Sequence, residues 1–173
     1  MKRVSLIGLE GTGFRNPRYQ GESGLIRAGH VGFAFEVEDR QIYGFHPSPE
    51  AIKREGGEAA VMRLLVNGGS IEGTVQADRE IFERAVELSR TGARTEVWQI
   101  EVNLTDEEYD RMRAQTLEWY NEQKVFLYAF PRREVPLTDQ NDNCATFPRR
   151  LGLPLLESTG QLSWYIEAMM SKG

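Results

Sequence analysis

Among 173 residues the chain has one cysteine and two histidines. Both scarcities exclude chemistry. A lone Cys144 cannot close an internal disulfide, and with no second cysteine beside it and no His-Glu-x-x-His helix the ligand spacings of a zinc site are missing. Neither a metal nor a cofactor is therefore expected. Long apolar runs are missing too, so no segment reads as a membrane-spanning helix. The first apolar stretch, Val4 to Leu9, meets Glu10 before the core of a signal peptide is complete. The chain is expected in the cytoplasm as made, or outside it by a route that reads no cleaved leader. Basic charge is also short: 21 Lys and Arg stand against 26 Asp and Glu, a formal net charge of -5. The pairs Arg132-Arg133 and Arg149-Arg150 are too brief to build the surface that a phosphate backbone needs, so no nucleic-acid partner is expected. Glycine-rich Gly11 to Gly24 lacks the Gly-Lys-Ser/Thr ending of a P-loop and contains no clear G-x-G-x-x-G, so it reads as a polar loop flanking a site.

What is present suits one globular domain over residues 1–173, with 40% hydrophobic residues and no internal repeat. Val4–Leu9 reads as a strand. Gly29–Val37 and Gln41–His46 read as the two arms of a hairpin turning at Glu38-Asp39-Arg40. Pro47-Ser48-Pro49 reads as a loop beyond it. Between Ala51 and Ala77 the pattern is weak, with an apolar run at Val61–Val66, a turn at Asn67–Ser70 and a short strand at Ile71–Val75. Asp78–Leu88 has helical spacing, acidic residues near its start and Gly92 past its end. Thr95–Leu104 alternates as a strand. Thr105 caps a helix with Glu108 at the capping-box position; it runs to about Gln123 and shows Tyr109, Met112, Thr116, Leu117 and Tyr120 on one face. Val125–Phe130 reads as a strand and Gln161–Met170 as a last helix. Strand signals cluster instead of alternating with helices, which predicts an α+β fold with an antiparallel sheet.

The chemistry centres on Asn141-Asp142-Asn143-Cys144-Ala145-Thr146-Phe147, where a polar loop turns toward a helical segment holding Pro148. A thiol at a helix N-terminus is stabilised as thiolate, the attacking species, by unsatisfied N–H groups and the helix dipole. The competing reading is a small core residue, the commoner fate of a free cysteine. A nucleophilic thiol needs a base, and only His30 and His46 offer one. The strand period puts His30, Gly32, Ala34 and Glu36 on one face and Val31, Phe33, Phe35 and Val37 on the other. Small neighbours leave room above the His30 ring. His46 falls across from His30 if the turn centres on Glu38-Asp39, where it can orient the base as the third member of a triad does. Glu36 is the rival for that role, and each histidine also reads as a plain sheet-edge or loop residue.

In chain order, Gly29-His30-Val31-Gly32, Tyr43-Gly44-Phe45-His46-Pro47, the strand-to-helix passage Val102–Tyr109, and Asn143-Cys144-Ala145-Thr146-Phe147 with Leu151-Gly152-Leu153-Pro154 resemble circularly permuted NlpC-type, papain-like cysteine hydrolases. The resemblance implies a papain-like domain with Cys144 as nucleophile at a helix N-terminus, His30 as base and a polar third residue from the following strand. It implies acyl transfer on an amide bond, with peptidoglycan stem peptides as the leading substrate. That substrate lies outside the cytoplasm and goes with secretion as an antibacterial effector, for which an inhibitor or immunity protein is the expected partner. The alternatives are an acyltransferase or esterase of the same fold and a catalytically silent binding module.

Overall fold

The computed structural model describes residues 1–9, 13–15, 25–27, 30–35, 41–79, 83, 97–129, 141–142, 144 and 147–153. Its main sheet uses β1 (Lys2–Leu9), β4 (His30–Phe35), β5 (Ile42–Pro47), β6 (Ser70–Ala77), β7 (Val97–Leu104), β8 (Phe126–Ala129) and β9 (Asn141–Asp142). They lie in the order β7-β1-β4-β5-β6-β8-β9. Every neighbouring pair is antiparallel except β8 and β9, which are parallel. With α1 (Pro49–Glu55), α2 (Glu58–Val66) and α3 (Asp106–Glu122) the architecture is α+β, as the clustered strand signals predict. None of these helices is long and apolar enough to cross a membrane.

One face of the sheet carries the core. Val4, Leu6, Val31, Phe33, Tyr43, Phe45 and Val75 are nearly or fully buried at alternate strand positions, the period that the pleat dictates. Helix α3 packs here through Tyr109, Met112, Thr116 and Trp119, the face its spacing predicts with Trp119 added. Its start is the expected capping box: Thr105 Oγ accepts from the Glu108 N–H at 3.1 Å, and a Glu108 carboxylate oxygen accepts from the Thr105 N–H at 2.9 Å. Aromatic rings fill the space between helix and sheet. Phe45 stacks on Phe147 with centroids 4.2 Å apart, and Trp119 meets Phe126 edge-on at 4.9 Å.

Several expectations change. The polar loop contains a strand, β2 (Gly13–Arg15), paired with β3 (Leu25–Arg27) in a separate two-stranded sheet. The weak stretch after the hairpin holds two helices. Ser48 caps α1 by accepting from the Ala51 N–H at 3.2 Å, Pro49 takes the first turn, and Gly56 ends the helix at φ 95°, a left-handed position that glycine adopts without strain. Glycine density hid them because Gly56 and Gly57 punctuate the junction between the helices instead of breaking one. The helix expected after Cys144 is a 3-10 turn of five residues, Phe147–Leu151, closed by Gly152 at φ 91°. Most of the helix read over Asp78–Leu88, the helix read over Gln161–Met170 and the alternative orienter Glu36 lie outside the described residues.

Candidate active site: a buried thiol and two buried carboxylates

Cys144 sits in a turn two residues past β9 and is 6% exposed. Burial follows from β9, which lays its chain against β8 with Asp142 opposite Tyr128. Two polar contacts join the cysteine to that tyrosine: its side chain hydrogen-bonds the Tyr128 phenol, and its backbone N–H donates to the phenol oxygen. Burial, and then the charge of Cys144, hold the phenol well above its ordinary 10.0; the Asp78 carboxylate pushes the same way. Tyr128 therefore stays protonated across the neutral range, where a phenol O–H can donate to sulfur. A five-residue 3-10 turn starting at Phe147 gives Cys144 no helix N-terminus, because the aligned peptide dipoles of a longer helix are missing. The local support for the sulfur comes from Tyr128 instead.

The loop carrying Cys144 is clasped from both sides. Asp142, fully buried, accepts from the guanidinium of Arg150, itself about one-fifth exposed. Those residues flank the cysteine, so the pair ties the strand before it to the 3-10 turn after it. Arg150 also lies over the Phe126 ring, 5.5 Å from its centroid.

His46 occupies the next-to-last position of β5, opposite Thr74, so the strand continues through it instead of ending in a loop. Its Nε2 is hydrogen-bonded to an oxygen of Asp78, whose side chain is fully buried while His46 is about one-fifth exposed. Asp78 follows β6 directly, and its N–H donates to the Ile42 carbonyl at 2.7 Å, extending the β5–β6 ladder by one bond. Two pleats apart on β5, Ile42 and His46 share a face, and Gly44 lies between them. A Cβ on Gly44 would fall 1.6 Å from Asp78 Oδ2 and 3.0 Å from His46 Nε2, so the hydrogen-bonded pair occupies the space a side chain would need.

The second histidine, His30, opens β4 with its backbone paired to Leu9; its side chain lies outside the described residues. The β4–β5 register pairs Gly32 with Gly44 and Phe33 with Tyr43. The described pairing ends at Gly32 and Gly44, two residues short of His30 and His46, and its offset is the one a turn centred on Glu38-Asp39 would give.

The described contacts form two groups. Phe45 and Tyr128 touch on the core face, centroids 5.3 Å apart. His46, the next residue after Phe45, projects to the other face. The thiol–phenol pair and the imidazole–carboxylate pair thus leave the sheet on opposite sides. Two members of this arrangement, Tyr128 and Asp78, were not among the residues singled out from sequence. Tyr128 is hidden in an apolar run, and Asp78 reads as an acidic first-turn helix residue. The signal for Asp78 was the alternation Thr74, Gln76, Asp78, which continues β6 and sends all three to the His46 face.

No family model, no curated protein and no solved structure matches this chain.

Proposed function

We propose that the chain is a cysteine-dependent hydrolase of an amide bond, with Cys144 as nucleophile, His30 as base and His46 as the residue that orients the base. One topological observation carries the reading. The start of β4, the end of β5 and the end of β8 lie toward the same end of the sheet, and β9 runs out at that end just before Cys144. The strand termini nearest Cys144, His30 and His46 thus lie toward one end of the sheet although they come from distant parts of the chain, which supports the reading.

The chemistry is acyl transfer. The base takes the thiol proton as Sγ attacks the carbonyl carbon, and the C–N bond breaks as that proton passes to the leaving amine. Water then attacks the thioester with the base accepting its proton, and the acid leaves as the thiol is regenerated. Tyr128 supports the thiolate by hydrogen bonding. A peptide is the proposed substrate, with a peptidoglycan stem peptide leading; export as an effector, and an immunity protein that restrains it, would accompany that substrate. An alcohol or amine replacing water would make the same site an acyltransferase.

A second reading has its own support. Cys144 and Tyr128 are each 6% exposed, the setting of a core cysteine, and fit a binding module that keeps the fold without turnover. Incubation with purified peptidoglycan and with generic peptide and ester substrates, comparing wild type with Cys144→Ala, separates the two. Product release that disappears in the variant supports the hydrolase. No Cys144-dependent release, with iodoacetamide labelling slower in the native protein than in the unfolded chain, supports the binding module.

A further inference from the structure

We infer that Asp78 is a positioning residue that locks His46 in one tautomer, and that Gly44 is the slot that makes this contact possible. Asp78 is fully buried, hydrogen-bonds His46 Nε2 and takes a main-chain bond to Ile42 that sets where its side chain starts. A buried carboxylate can only accept, so the neutral imidazole must place its proton on Nε2 and its lone pair on Nδ1. A side chain at position 44 would displace the pair, since an added Cβ would overlap Asp78 Oδ2 at 1.6 Å. This gives the turn-prone glycine within the Tyr43-Gly44-Phe45-His46 strand a reason that strand geometry alone does not supply, because glycine weakens a strand interior.

The catalytic consequence rests on the reading above. A neighbouring base is prepared to take a thiol proton when its other nitrogen donates to a fixed acceptor, and Nδ1 of a locked His46 is such an acceptor. The chain of orientation would then run from Asp78 through His46 to His30, with Asp78 touching no substrate.

The tautomer itself is measurable without any substrate. With two histidines in the chain, long-range proton–nitrogen spectra of the imidazoles can be assigned with a His30→Gln variant. The wild type is expected to show neutral His46 protonated on Nε2, and both Asp78→Ala and Gly44→Ala are expected to show averaging of the two tautomers. Gly44→Ala should also lower the melting temperature, and Gly44→Ala/Asp78→Ala should recover part of that loss because the clashing carboxylate is gone. An Nδ1-protonated or already averaged His46 in the wild type overturns the inference, as does a Gly44→Ala loss unchanged in the Asp78→Ala background. These readouts decide the matter whether or not Cys144-dependent turnover is found, so the two readings fail separately.

Discussion

Asp142 and Asp78 are both fully buried carboxylates that meet a nitrogen-bearing side chain, yet those partners differ in kind. Arg150 offers a rigid fork of donors and no acceptor, so its pairing with Asp142 acts as a clasp on the loop that carries Cys144. His46 instead presents a planar ring with two distinct nitrogens, so its pairing with Asp78 through Nε2 fixes how that ring is turned. The same acid, equally buried, closes a loop in one place and orients an imidazole in the other. What separates the two roles is the partner and not the burial of the carboxylate.

That contrast can be broken most sharply at the clasp. Arg150→Met keeps an unbranched apolar stem and removes the guanidinium from a buried acid, and should cost about 3–5 kcal/mol of stability by urea unfolding at pH 7. A loss under about 1 kcal/mol would mean that the pair contributes no more than a surface bridge. Asp78→Asn tests the other member. The amide oxygen can still accept from His46 Nε2 in the same space, so about 1 kcal/mol should be lost through weaker hydrogen bonding. A cost equal to that of Arg150→Met would erase the distinction between the two acids.

A third effect, seen only in alkaline solution, concerns Tyr128, whose phenol lies against Cys144. Its phenol is held protonated above the ordinary 10.0, so in alkaline solution the unfolded chain gives up this proton first. The stability that protonated Tyr128 contributes is complete below that pH and is lost as pH rises toward the folded value. Thermal unfolding between neutral pH and alkaline pH should therefore steepen in the wild type relative to Tyr128→Phe, by up to about 1.4 kcal/mol per pH unit. Parallel curves would show that the phenol ionises alike in both states.

The capping box of α3 was legible because it depends on residues three apart, Thr105 and Glu108, whose chemistry acts within one turn. The hairpin register was legible for a related reason: a short connection centred on Glu38-Asp39 leaves few ways to align Gly32 with Gly44. Helices α1 and α2 were not, since Gly56 and Gly57 obscure the periodicity on either side. The candidate site divided along the same line. Cys144, His30 and His46 stood out by rarity, whereas Tyr128 and Asp78 belong to residue types too common to notice.

Composition and local spacing by themselves determined the α+β class, the core faces of β4 and α3, and which side chains have the chemistry to react. Tertiary structure alone decided that Asp78 meets His46, that Tyr128 meets Cys144, and that these two pairs leave opposite faces of one sheet. The physical reason is range. Capping and pleat alternation act between residues a few positions apart, while a buried contact across β5 and β6, or between β8 and the turn after β9, exists only once distant strands have paired and expelled water.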